Sequence, residues 1–169
     1  MRRKNQIEIP RFALNDSGRA ELRAGTGSNL FTTPSSGTYV LILFCPREEQ
    51  VQIGKLGPLQ LHRGFYVYVG SAFGPGGLRS RLAHHARLSS RPHWHIDYLR
   101  SRTNLDQVWY FHERIRREHQ WAHIIQALSG ASVPMARFGS SDCKCKTHLF
   151  FFTRRPSFRE FADSVISRF

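Results

Sequence analysis

Acidic side chains are few: 12 Asp and Glu face 25 Lys and Arg in a chain of 169 residues, a formal charge of +13. A field of that sign attracts polyanions, and nucleic acid is the commonest one inside cells. Arg outnumbers Lys, which favours planar, bidentate phosphate contacts over diffuse attraction. Cysteine is also rare. Cys45, Cys143 and Cys145 make an odd count that argues against a disulfide framework. Long apolar runs are missing: none approaches the roughly 18 residues a membrane span needs, so no membrane partner is expected. The basic start Met1-Arg2-Arg3-Lys4-Asn5 is not followed by the apolar stretch of a secretory signal, and the expected compartment is the cytoplasm. Internal repeats are lacking too.

What remains is an ordinary globular balance, 40% hydrophobic and 22% charged, sufficient for one domain with its own core. Residues 1–35 show no sustained period and are rich in Gly, Ser, Thr, Asn and Arg, which reads as a flexible basic N-terminal tail. The domain proper is read over 36–155, and a short C-terminal helix over 156–169 opens on the capping box Ser157-Phe158-Arg159-Glu160. Thr38-Tyr39-Val40-Leu41-Ile42-Leu43-Phe44 is a nearly continuous apolar run, as in a strand buried on both faces. Apolar positions 51, 53, 56, 59 and 61, broken by glycines, fit a short hairpin. Phe65-Tyr66-Val67-Tyr68-Val69-Gly70 is a second core strand. A glycine-rich loop then leads into a basic helix beginning at Leu78. Further on come a helix or turn at 94–99, a strand at 107–111, a helix at about 113–128, a loop at 138–145 and a last apolar strand at 148–153.

Two tyrosine patches, Gly37-Thr38-Tyr39 and Tyr68-Val69-Gly70, lie upstream of that basic helix, where Arg81 and His85 stand four residues apart on one face. Phenols, a guanidinium and an imidazole suit chemistry on a phosphate. Arg79 and Arg87 read as additional nucleic-acid contacts. At 100° per residue, Ile115, Trp121, Ala122, Ile125 and Leu128 form the apolar stripe of the 113–128 helix, and Glu118 falls within it. An inward carboxylate needs a partner: either a buried arginine or a hydrated Mg²⁺ or Mn²⁺ ion.

These residues resemble the GIY-YIG nuclease family, whose two motifs are here Gly37-Thr38-Tyr39 and Tyr68-Val69-Gly70. Leu78-x-x-Arg81-x-x-x-His85 is similar to its helix motif, and Glu118 to its metal-binding glutamate. The likeness extends to a bacterial and archaeal branch classed as a domain of unknown function (DUF123) and sometimes fused to endonuclease III. It is carried by Tyr68-Val69-Gly70-Ser71-Ala72, Gly77-Leu78-Arg79-Ser80-Arg81-Leu82, His93-Trp94-His95-Ile96-Asp97-Tyr98-Leu99 and Phe138-Gly139-Ser140-Ser141-Asp142-Cys143. The resemblance implies an α+β fold with a small three-stranded antiparallel sheet flanked by helices. It also implies a divalent-metal-dependent endonuclease acting on DNA, in repair and beside a repair-enzyme partner. Tyr39 would orient or deprotonate the attacking water, Arg81 would stabilise developing charge, Tyr68 and His85 would position the phosphate, and Glu118 would hold Mg²⁺ or Mn²⁺. Thr38 replaces the family's isoleucine, and the tyrosines stand 29 positions apart, which makes the hairpin between them an insertion able to cover or widen the site.

Two further clusters are left over: Cys143-x-Cys145-x-x-His148 and His93-x-His95-x-Asp97. The cysteine spacing is not the usual zinc C-x-x-C, so packing and hydrogen bonding are preferred to Zn²⁺ for these residues. A third arrangement sets Asp142, His148 and His95 along the border of the nuclease cleft. Two readings compete with the endonuclease: a noncatalytic nucleic-acid-binding module of the same fold, and a zinc-stabilised interaction domain.

Overall fold

The computed structural model describes residues 9–14, 20–25 and 36–167, which form an α+β fold. Within the segment read as a tail, Ile9–Leu14 (β1) and Ala20–Gly25 (β2) pair antiparallel, and the rest of 1–35 lies outside the described residues. The strands Gly37–Cys45 (β3), Gly64–Ala72 (β6), Asn104–His112 (β7) and Leu149–Phe152 (β8) make an antiparallel sheet in the order β7-β3-β6-β8. Glu49–Ile53 (β4) and Gly57–Leu61 (β5) form the separate hairpin between the two tyrosine motifs. The helices are Gly77–Ala86 (α1), His95–Arg100 (α2), Glu118–Ala127 (α3) and Phe158–Ile166 (α4). Among the described residues, no helix is long and apolar enough to cross a membrane.

The central strands β3 and β6 are apolar on both faces, so each needs a neighbour on either side and cover above and below. This corrects the expected three-stranded sheet to four. The run Leu149-Phe150-Phe151-Phe152 completes the outer edge of β6, from Phe65 opposite Phe152 to Tyr68 opposite Leu149. On one face, Leu41, Leu43, Tyr66 and Tyr110 pack with Leu78 and Leu82 of α1 and Ile96 and Leu99 of α2. Val51, Ile53, Leu59 and Leu61 of the hairpin join that same core, beside α2. The hairpin therefore buttresses the sheet, and none of its residues lines the cleft described below. On the opposite face, Val40, Ile42, Val67 and Trp109 meet Trp121, Ile124 and Ile125 of α3 and Phe161 and Val165 of α4.

α3 begins later than its periodicity indicates. Glu113 donates its backbone N–H to the Ser36 carbonyl (3.0 Å). Its carboxylate accepts from the Thr38 hydroxyl (3.4 Å) and from Arg117 Nε (2.6 Å). The Thr38 hydroxyl in turn accepts the Arg117 N–H at 3.3 Å. These bonds hold residues 113–117 in an irregular turn, and Ile115, expected on the apolar stripe, is 60% exposed. They also give Thr38 a task that isoleucine has no hydroxyl to perform. α4 starts as its sequence indicates, with the Ser157 hydroxyl accepting the Glu160 N–H at 3.3 Å.

Candidate active site

A cleft of about 410 Å³ opens at the end of the sheet where β3 starts and β6 finishes. It is lined by Tyr39 and Tyr68 from the strands, Arg81 and His85 from α1, and Glu118 from the first turn of α3. All five residues read as catalytic from the sequence therefore share one cavity. Glu118 is the first residue of α3 and lines the cleft from the start of that helix, not from its interior as the periodicity indicates.

The glycines beside the tyrosines make this convergence possible. Gly70 is paired directly with Tyr39, and a Cβ added to Gly70 would come within 2.5 Å of the Tyr39 oxygen. A Cβ on Gly37 would collide with the Phe111 carbonyl oxygen. Only glycine permits such approach. Gly70→Ala is expected to displace the Tyr39 phenol and to destabilise the fold by roughly 1–3 kcal/mol through overpacking. Chemical denaturation measures this, and an unchanged midpoint would show that the strands accommodate a methyl group here.

Tyr39 is buried, and its hydroxyl lies 2.8 Å from His85 Nε2. Burial, reinforced by Tyr68, raises the Tyr39 pKa well above the usual range for a phenol. Tyr68 is pushed up to about 12, again mainly by burial, with Arg81 pulling the other way. Both phenols are thus protonated at neutral pH. His85 is lowered to about 3 by burial and by the cationic groups of its surroundings, so its imidazole is neutral. A neutral His85 can accept a hydrogen bond from the Tyr39 hydroxyl at Nε2, leaving the phenol oxygen's lone pair free to face the cleft.

Arg81 is held from the side. Its guanidinium carbon lies 4.1 Å from the centre of the Trp94 ring, a cation–π contact that orients the fork at the cleft. The Trp94 ring is braced edge-on by His84 at 4.7 Å, and His84 Nε2 bonds Asp97 Oδ1 at 2.8 Å. The other Asp97 oxygen accepts the N–H groups of His93 (2.9 Å) and Trp94 (3.0 Å). Burial pushes Asp97 up, but these bonds outweigh it and keep its carboxyl below the usual range. The buried Arg100 fastens α1 to α2 by donating to the His85 carbonyl (3.0 Å) and the Thr103 carbonyl (2.7 Å). Asp97 is thus a hydrogen-bonded anchor.

Arg117 forms an ion pair with Glu113 at 2.6 Å. Glu118 lies 3.7 Å from His119 Nε2, with its side chain 17% exposed. Arg79 and Arg87 are exposed and lie outside the cleft lining. His93, His95, Asp142 and His148 do border it. His95 Nδ1 accepts the Gly139 N–H at 3.2 Å, which joins α2 to the 138–148 loop. Cys143, Cys145 and His148 gather with His119, and of these four His148 lines the cleft. Sequence reasoning missed three residues here: Trp94 as the platform for Arg81, Arg116 on the cleft wall, and His119 beside the cysteines. Trp94 sits within a quoted motif, but the other two carry no spacing signal.

A family model described as "Domain of unknown function DUF123" matches residues 38–169. No curated protein and no solved structure matches the chain. The family match takes in Thr38-Tyr39, Tyr68-Val69-Gly70, the Arg81 helix, Glu118 and the cysteine loop, and on that span the chain belongs to the DUF123 family.

Proposed function

We propose that this chain is a divalent-metal-dependent endonuclease of the GIY-YIG type, hydrolysing DNA phosphodiester bonds. The observation that carries the reading is the convergence of two phenols, a guanidinium, an imidazole and a carboxylate on one cleft of about 410 Å³. The formal charge of +13 supplies the attraction for a polyanion. Work in DNA repair, beside a repair-enzyme partner, belongs to the same reading.

Hydrolysis needs an oriented water, a clamp for the charge growing on the phosphate and relief of charge on the leaving oxygen. With its O–H donated as a hydrogen bond to His85 Nε2, the Tyr39 oxygen keeps a lone pair that accepts a hydrogen bond from the attacking water and fixes its direction. Arg81, already turned toward the cleft by Trp94, offers its planar fork to the non-bridging oxygens. Tyr68, protonated at neutral pH, donates to the phosphate and helps seat it. Glu118 fits the role of cation ligand: a hard, slightly exposed carboxylate in a polar cleft, and a hydrated Mg²⁺ or Mn²⁺ commonly uses one or two such oxygens. The chemistry such a cation supplies when bound is charge neutralisation at the scissile phosphate and leaving oxygen.

The test is incubation of purified protein with plasmid and branched DNA in Mg²⁺, Mn²⁺ or a chelator. Metal-dependent nicking or cutting is the expected result. Tight binding with no cleavage of any substrate would replace the endonuclease with the noncatalytic binding module.

A further inference from the structure

We infer that His119, Cys143, Cys145 and His148 form a structural zinc site. The inference is independent of the nuclease reading, because it uses a different set of side chains and a different metal. One ligand atom from each residue lies within 4.8 Å of all the others. His119 Nδ1 is 3.2 Å from Cys145 Sγ, and His148 Nε2 is 3.6 Å from Cys143 Sγ. A tetrahedral zinc ion with its usual bond lengths separates neighbouring sulfur and nitrogen ligands by about 3.6 Å. The His148–Cys143 contact equals that spacing and the His119–Cys145 contact is a few tenths of an ångström shorter, so small side-chain shifts complete the tetrahedron.

The donor types choose the metal. Two thiolates and two imidazoles select zinc over Mg²⁺, Mn²⁺ or Ca²⁺, which prefer oxygen. Two thiolates also neutralise the ion's charge, and four protein ligands close the coordination sphere, the mark of a structural rather than a catalytic site. The second nitrogen of His119 lies 3.7 Å from Glu118 Oε1, beyond hydrogen-bond reach.

The cage is laced before any metal arrives. The His148 N–H donates to the Phe138 carbonyl at 2.8 Å, and the His148 carbonyl accepts the Val69 N–H at 3.0 Å. Arg137, in the left-handed region at φ 64°, sends its guanidinium back to the carbonyls of Cys143 (3.3 Å) and Ser141 (3.2 Å). The ion would join the start of α3 to the loop before β8, clamping together the two segments that carry Glu118 and Asp142 to the cleft. The 143–145 spacing alone misses this, because His119 completes the set from another element.

The full chain, produced without a metal-binding tag and kept reduced, should contain one equivalent of zinc by elemental analysis. Replacement by Co²⁺ should give thiolate-to-cobalt charge transfer and the intense visible bands of a tetrahedral site. Both should vanish in the Cys143→Ser/Cys145→Ser double variant, and His119→Ala should weaken zinc retention against a chelator at least tenfold. Reduced wild-type protein that binds neither zinc nor cobalt would overturn the inference, as would a double variant that keeps its metal. If that variant does not fold, zinc content and the cobalt spectrum of the wild type decide alone.

Discussion

Under the proposed endonuclease function, Arg81→Ala is expected to slow DNA cleavage by about 10²–10³-fold, the usual cost of losing one preorganised charge-stabilising donor. The side chain is well placed to have so large an effect. It lines the cleft with both phenols, and Trp94 holds its guanidinium at 4.1 Å, so little orientation is lost when substrate arrives. Arg81 is only half-buried, and the core of α1 rests on Leu78 and Leu82, so its removal leaves the fold intact. Single-turnover cleavage and equilibrium DNA binding, measured on the same protein, separate the effects. The rate should fall by orders of magnitude while binding weakens slightly, because many other cations share the general attraction. Arg81→Lys should recover only part of the rate, since an ammonium neither stacks on Trp94 as well nor offers a planar fork. Glu118→Gln keeps the side-chain volume and removes the charge, and should abolish the metal dependence along with the rate. An Arg81→Ala protein that cuts at the wild-type rate would remove the guanidinium from the mechanism.

The parts of this site that were legible in the sequence are those set by local pattern. The continuous apolar run from Thr38 to Phe44 marked a doubly buried strand, and β3 is indeed flanked by β6 and β7 and covered on both faces. The four-residue step from Arg81 to His85 placed both on one face of α1, and both line the cleft. What escaped was decided by contacts between distant segments. Periodicity carried α3 back to Glu113, but a hydroxyl 75 positions away, on Thr38, fixes that residue in a turn. The run at 149–152 announced a strand without saying which edge it would join. His119 stands 26 positions from Cys145, and no spacing rule reaches across the helix and loop between them. The insertion between the tyrosine motifs was visible as a hairpin, but only packing shows that it supports α2 instead of covering the cleft.

Lowering the pH from about 6.5 toward 4 should destabilise this protein steeply, and His85 should account for roughly 1.4 kcal/mol of the loss per pH unit. The imidazole is 2% exposed, and its Nδ1 has no hydrogen-bonding partner among the described residues. It is surrounded by Tyr39, Tyr68, Trp94, His84, Arg81, Asp97 and Arg100. Burial lowers its pKa most, His84, Arg81 and Arg100 lower it further, and Asp97 only partly opposes them, leaving a value of about 3. The sign follows from the two states. Below its ordinary value of 6.5 the unfolded chain takes up a proton at this position, while the folded chain refuses it down to about 3. Unfolding is therefore favoured as pH falls through that window, and the stability is fully present above it. His95 and His112, both lowered mainly by burial, push in the same direction. Denaturant titrations from pH 8 to pH 4 would measure the slope, and His85→Gln isolates this residue's share. Glutamine can still meet the Tyr39 hydroxyl but cannot titrate, so the variant should start less stable at pH 8 and lose stability more gently, by about one proton's worth of slope. Parallel profiles for the two proteins would mean that His85 protonates in the folded state, and the neutral imidazole needed to orient Tyr39 would be lost with it.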